Sequence, residues 1–219
     1  MDRLGEPQRR RAEGPRGYYQ KFGKRLLDVT LGGLALLMFA PVIGATALAV
    51  WISMGRPILF RQARPGLGER IFTMLKFRTM IETFDDRGEL LPDAARVTRL
   101  GRLLRATSLD ELPELWHVLK GDMSLVGPRP QLVEYLPYYS PAEHRRHSVR
   151  PGITGFAQIS GRNETTWRRR LRQDVLYVNR CSLRLDCWII LRTLTAVLRG
   201  DGGSGAIEKL GRFRGTAQS

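Results

Sequence analysis

The sequence predicts an α+β protein, a re-entrant membrane helix-break-helix joined to a small, mostly helical domain with a short sheet. Three observations carry that prediction. Residues 29–54 run VTLGGLALLMFAPVIGATALAVWISM without one charge. Residues 71–79, IFTMLKFRT, read as a strand, and several later stretches read as helices. At 219 residues there is room for one ordinary domain plus a membrane element, hardly for two full domains.

Residues 1–23 come first, basic and without apolar periodicity, rich in Arg, Gly, Glu and Pro. They are expected to be flexible, with anionic headgroups as a partner. The apolar element follows over residues 24–54. As one helix the uncharged run would extend ~39 Å, enough to cross a ~30 Å hydrocarbon core. It is too long for the apolar region of a cleaved leader, and no small-residue cleavage site follows it. Pro41 lies near its middle and favours a kink. Lys21, Lys24 and Arg25 precede the run, and Arg56, Arg61 and Arg64 follow it. Basic flanks belong on the cytoplasmic side, so a helix bent at Pro41 that enters and leaves by one face satisfies both facts. Asp28 stands four and three residues after Lys24 and Arg25, a spacing at which it is expected to pair with either.

Residues 55–199 form the folded domain, and residues 200–219 a flexible tail. In the strand at 71–79, Lys76 and Arg78 share one face. Helices are expected at 95–106, 109–120, 131–139, 165–180 and 184–199, with a loop-rich stretch at 150–163. The last helix bears an apolar stripe of Trp188, Ile189, Leu191, Leu194 and Leu198. Core packing is the expectation for that stripe, and a membrane surface the alternative.

Charge narrows the function. The 36 Lys and Arg against 21 Asp and Glu leave +15, which favours nucleic acid, an acidic lipid surface or phosphate-bearing substrates. No helix-turn-helix or zinc-finger signature accompanies the charge, so nucleic acid is not expected. Cys181 and Cys187 make no metal or disulfide framework and read as small buried residues. His117, His144 and His147 lack metal-helix spacing, and the last two read as surface members of a basic turn.

Arg105-Ala-Thr-Ser-Leu-Asp-Glu-Leu-Pro-Glu is the most informative stretch. Two readings fit it. Ser108 and Glu111 match a capping box, with Asp110 in the first helical turn. The same placement suits a carboxylate nucleophile beside exposed amides that favour phosphate, with a divalent ion bridging Asp110 and a diphosphate. Lys76, Arg78 and Arg105 are then candidates for added positive charge. Further on, Pro128 and Pro130 bracket Arg129, either as a plain turn or to aim its guanidinium at phosphate.

Taken in order, the apolar run with Pro41, RPGLGERIFTMLKFRTM, SLDELPEL, LKGDMSLVGPRP and RPGITGFAQISGRN resemble the bacterial sugar transferase family, the small monotopic phosphoglycosyl transferases. The resemblance covers residues 24–199. It implies a re-entrant helix anchored by Lys24, Arg25 and Asp28 and broken at a Ser-Pro dipeptide, which here reads Ala40-Pro41. It implies an Asp-Glu dyad at Asp110 and Glu111, Mg2+ on Asp110, and substrate contacts from Lys76, Arg105, Arg129 and Arg162, to which the strand face adds Arg78. The reaction implied has two steps. Asp110 takes a sugar phosphate from a UDP-sugar and expels UMP, and undecaprenyl phosphate then collects it at the cytoplasmic face of the bacterial inner membrane. Downstream glycosyltransferases would use the product. The tail and EYLPYY are most similar to members using UDP-di-N-acetylbacillosamine, while members using UDP-galactose or UDP-glucose share most of the motifs.

Overall fold

The computed structural model describes residues 17–160, 166–199, 213 and 215. Arg162 and most of the tail lie outside them. A π-helical turn, Tyr19–Gly23, leads into helix α1, Lys24–Met54. Within Tyr19–Met54 an 18-residue stretch reaches a mean hydropathy of 2.2, and among the described residues this is the one helix long and apolar enough to cross a membrane. The break expected at Pro41 is not an interruption of the helix, which runs through that residue. Proline removes one i→i−4 bond, but its φ suits a helix, so the turns on either side hold.

Both ends of α1 are fastened to the same domain. At its start, Lys24 Nζ lies 2.6 Å from Asp186 Oδ2, and Arg25 donates to the carbonyls of Val118 and Leu119 at 2.5 and 2.6 Å. Asp28 accepts from Ser124 Oγ and Leu125 N, each at 2.9 Å. The local pair expected between Asp28 and Lys24 or Arg25 thus gives way to tertiary partners, because all three side chains face the domain. At the far end Val50 is fully buried with Phe77 and Leu104. Between them Leu34, Leu37 and Met38 are exposed.

An antiparallel hairpin follows, β1 (Leu59–Pro65) and β2 (Ile71–Phe77), with Phe60 opposite Lys76 and Arg64 opposite Phe72. The helix expected at 95–106 divides into α2 (Asp93–Arg96) and α3 (Arg99–Thr107), because Thr98 adopts an extended backbone and caps α3 at Gly101 N. Ser108 ends α3 in the left-handed conformation, φ 58°. A 3-10 turn, Leu109–Glu111, precedes α4 (Glu114–Lys120). The capping box expected of Ser108 does not form: that residue closes α3 in the left-handed conformation and opens the 3-10 turn without a side-chain cap bond.

Strands β3 (Ser124–Val126) and β4 (Gly152–Thr154) pair in parallel. Between them lie a 3-10 helix at Val133–Tyr138 where an α-helix was expected, α5 (Pro141–His144) and a 3-10 turn at Arg145–Ser148. Pro137 inside the first of these removes a helical hydrogen bond and favours the tighter, shorter form. Helices α6 (Phe156–Ile159), α7 (Trp167–Arg180) and α8 (Leu183–Leu198) complete the domain. Among the described residues the core falls into three clusters: Tyr135, Tyr139, Trp167, Leu171 and Phe213; Val126, Tyr177, Cys181 and Ile189; Val50, Phe77 and Leu104.

In α8 the stripe expected to pack inward faces outward. Trp188, Leu191 and Leu194 are exposed, and Ile189 alone of the described stripe is buried. The register is set instead by Asp186, fully buried, which accepts from Lys24, from Tyr19 Oη at 2.6 Å and from Tyr177 Oη at 2.7 Å. A buried carboxylate without partners is costly, so the face carrying it must turn inward. Cys187, one residue on, is exposed, against the expectation that both cysteines are buried.

Candidate active site

Three segments converge beneath the end of α3. Strand β2 supplies Lys76, the 3-10 turn supplies Asp110 and Glu111, and the Gly127-Pro128-Arg129-Pro130 loop supplies Arg129. Lys76 Nζ lies 2.6 Å from Glu111 Oε1 and 3.2 Å from Glu114 Oε1. Arg129 grips both oxygens of Glu111, Nη1 donating to Oε2 at 3.3 Å and Nη2 to Oε1.

The backbone around Arg129 is tied down from two sides. Arg146 Nη2 donates to Arg129 O at 2.6 Å and to Asp174 Oδ2 at 2.8 Å, while Arg64 Nη1 donates to Pro130 O at 3.2 Å. Gly127 has no room for a side chain, because a Cβ there would stand 2.4 Å from Arg150 O. The two prolines therefore sit in a loop fixed by its surroundings, and the guanidinium between them is held on Glu111.

Burial separates the carboxylates electrostatically. Asp110 is 6% exposed. Its pKa is pushed up to about 6, by burial first and by the neighbouring Glu111 charge second, against Lys76, Arg129 and Arg105. Burial also acts to raise Glu111, but Arg129 and Lys76 overcome it and hold that carboxyl well below the usual range. Glu114 is pushed up to about 7, chiefly by burial, with Lys76 opposing. Glu111 is thus a fixed anion in an ion-pair cage, and Asp110 beside it changes charge close to neutrality.

Further arginines gather behind this centre. Burial, then the charge of Arg129, lowers Arg64 to about 10. Burial likewise lowers Arg170, against Asp174. Arg64 Nε and Arg170 Nε and Nη1 are buried with no hydrogen-bond partner among the described residues. Guanidinium donors left over in a buried basic cluster suit an anion with several oxygens.

The sequence-predicted residues sort accordingly. Asp110, Glu111, Lys76 and Arg129 come together as expected. Arg105 lies at the rim, its Nε donating to Thr79 Oγ1 at 3.1 Å, close enough for its charge to act on Asp110. Arg78 does not join them. It lies beyond β2 and donates to the carbonyls of Met80, Arg56 and Met54, stapling the C-terminal end of α1. Glu114, Arg64, Arg146 and Arg170 were missed. Glu114 had a signal, being three residues past Glu111 in a helical pattern, whereas the arginines are ordinary in a chain this basic.

The geometry therefore puts a titratable carboxylate beside an ion-paired one, in a buried basic setting, on the domain that grips both ends of an apolar helix. Comparison with known proteins settles the relationship. The family model for bacterial sugar transferases matches residues 19–200. The chain belongs to the bacterial sugar transferase family. A sugar transferase of this family, EpsL of Bacillus subtilis (strain 168), is 49% identical over 179 residues, 82% of this chain and 89% of that one. The UDP-glucose:undecaprenyl-phosphate glucose-1-phosphate transferase of Caulobacter vibrioides is 44% identical, over 81% of this chain and 70% of that protein. A UDP-N-acetylgalactosamine-undecaprenyl-phosphate N-acetylgalactosaminephosphotransferase of Aeromonas hydrophila is 36% identical over 83% of this chain, which spans only 45% of that longer protein.

Proposed function

We propose that this bacterial sugar transferase is a phosphotransferase that moves a sugar 1-phosphate from a UDP-sugar to undecaprenyl phosphate, with Asp110 as nucleophile. The observation that carries the reading is the split between the two adjacent carboxylates. Glu111 is neutralised by Lys76 and Arg129, while Asp110 keeps a raised pKa and is ionised at neutral pH. In the first step an Asp110 carboxylate oxygen bonds to the β-phosphorus. The bond from that phosphorus to the bridging oxygen breaks, and UMP leaves with the electron pair. In the second step an oxygen of the acceptor phosphate attacks the same phosphorus and Asp110 departs as carboxylate, leaving a polyprenyl diphosphosugar. Splitting the transfer lets one small site serve a soluble donor and a lipid acceptor in turn.

Arg129 holds Glu111 in place, and the buried Arg64 and Arg170 behind it add positive charge that favours a phosphate at the centre. Mg2+ fits this donor set, since it is commonly bound through one or two carboxylates, waters and substrate phosphates. Glu111 and Glu114 are engaged by cations, so Asp110 is the carboxylate that would hold it. Bound there, the ion would screen the repulsion between carboxylate and diphosphate.

Attachment of both ends of α1 to one domain supports the re-entrant reading, because a crossing helix would carry its ends to opposite faces. The exposed Trp188, Leu191 and Leu194 extend the apolar surface available to a bilayer on the cytoplasmic face. For the donor, sequence resemblance favours UDP-di-N-acetylbacillosamine. A second reading, UDP-glucose, is supported by the Caulobacter relative, and the Aeromonas relative keeps an N-acetylated hexosamine in view.

The test is UMP release from a panel of UDP-sugars, with undecaprenyl phosphate and Mg2+. Wild-type protein should release UMP on one donor, and Asp110→Asn or chelation should abolish release. Full activity in a folded Asp110→Asn variant would remove Asp110 from the nucleophile role.

A further inference from the structure

A second group of chemically capable side chains lies away from the acidic-basic centre. Glu69 is in the turn joining β1 to β2. His144 closes α5, and His147 lies in the 3-10 turn that follows it. One ligand atom from each, a Glu69 carboxylate oxygen and one nitrogen of each imidazole, all fall within 4.8 Å of one another. Glu69 Oε1 is 2.5 Å from His144 Nδ1 and 3.4 Å from His147 Nδ1. We propose that these three residues form a binding site for a transition metal of the Zn2+ class, distinct from the Asp110 centre.

Local structure supplies the arrangement. In 3-10 geometry side chains at i and i+3 eclipse one another, so His144 and His147 present their imidazoles on one face. Tyr139 packs against both rings, edge-on to His144 with centroids 5.8 Å apart and tilted on His147 at 5.7 Å, which limits their rotation. Glu69 takes a left-handed backbone, φ 65°, a conformation that non-glycine residues rarely hold. Strain of this kind is retained where the surroundings fix a side chain's direction, and ligand clamps are among such places.

A simple Glu69–His144 ion pair leaves His147 unexplained. That residue is 6% exposed, its Nε2 has no hydrogen-bond partner among the described residues, and its Nδ1 has only the 3.4 Å approach to Glu69 Oε1. Buried imidazole nitrogens are rarely left unpaired. Two imidazoles and one carboxylate match the donor set that zinc takes when a fourth position remains for water, with bonds of ~2.0–2.2 Å. Imidazole donors also favour zinc, copper or nickel over magnesium. Such tetrahedral bonds would place ligand atoms ~3.3 Å apart, so an ion would part the Glu69–His144 pair from 2.5 Å and draw the three ligand atoms, now within 4.8 Å, to an even spacing.

A bound ion would act as a brace. It would join the β1–β2 turn, whose strands carry Arg64 and Lys76, to the segment bearing Arg146, which holds Arg129 O and Asp174. Its contribution is therefore to order and not to the transfer chemistry.

The experiment uses the full chain in detergent, stripped of metal, with excess Mg2+ restored and Cys187→Ser as background to remove an exposed thiol. Titration with Zn2+ by calorimetry should show one saturable equivalent and a raised Tm, and Co2+ should give the visible absorption of a low-coordinate site. Glu69→Gln and His144→Ala, both at part-exposed side chains, should each weaken Zn2+ binding at least tenfold while the fold, followed by circular dichroism, is kept. Asp110→Asn should leave the Zn2+ affinity unchanged. Absence of a saturable equivalent in wild type would overturn the proposal. So would unchanged affinity in Glu69→Gln and His144→Ala, or loss of binding in Asp110→Asn.

Discussion

At the scale of single residues, two neighbours of like charge receive opposite treatment, and the consequence is measurable. Because the pKa of Asp110 is raised to about 6, its carboxylate is present above that pH and is lost as pH falls through it. In metal-free protein the Asp110 carboxyl is expected to titrate near pH 6 by infrared difference spectroscopy, and Mg2+ held there should move the acid limb of kcat/KM for UMP release to lower pH. Glu111 is held ionised well below that range and adds no inflection there. Arg129→Lys would keep one positive charge but lose the two-pronged grip on Glu111. A loss of roughly 10–100-fold in kcat/KM is expected, about 1.4–2.7 kcal/mol of transition-state stabilisation, measured by the same assay. How much of this was legible in sequence follows from chain distance. Asp110, Glu111 and Arg129 stand in ordered motifs, so their roles could be inferred from neighbours. Arg64 and Arg170 become candidates only when folding buries them, and composition hides them among many arginines. Arg78 misled because strand alternation placed it with Lys76, yet at the end of β2 its guanidinium is taken up by the carbonyls of Met54, Arg56 and Met80.

Elements fix these side chains by close backbone approach. Helix α3 reaches the end of the β2 segment at Gly101, where a Cβ would stand 1.9 Å from Thr79 O. The contact brings Arg105 to Thr79 and sets where the chain leaves α3 for the Asp110 turn. Gly101→Ala is therefore expected to destabilise the protein by about 1–3 kcal/mol through overpacking. For a chain this size that is a fall in Tm of about 2–4 °C per kcal/mol, followed by thermal unfolding in detergent. Sequence patterning found the existence of α3, α4, α7 and α8 and of strand β2, because each carries its own period. It missed β1, whose Arg61, Gln62 and Arg64 mask an alternation that becomes visible once paired with β2. It also began α4 too early. The Ser108-to-Glu111 spacing fits a capping box, but the left-handed turn at Ser108 and the imino nitrogen of Pro113 delay the α-helix to Glu114.

For the whole molecule the question is how a domain carrying this charge sits on a bilayer. The clamps on α1 are polar at both ends: Lys24 to Asp186 and Arg25 to the end of α4 on one side, Arg78 to the carbonyls of Met54 and Arg56 on the other. If the helix crossed the membrane, one clamp would have to operate on the far side of the hydrocarbon core from the rest of the domain. Carrying charged groups through that core is expensive. A helix that dips in and returns keeps both clamps in water, and leaves Leu34, Leu37 and Met38, exposed midway along it, to meet the lipid. The prediction is tested by single cysteines at Lys21 and Arg61, exposed positions on the two flanks, in a Cys187→Ser background. In intact spheroplasts an impermeant thiol reagent should label neither, and after permeabilisation both. Labelling of one flank alone in intact cells would establish a crossing. The two clamps would then have to belong to separate conformations, since one domain on one side of the bilayer cannot hold both at once.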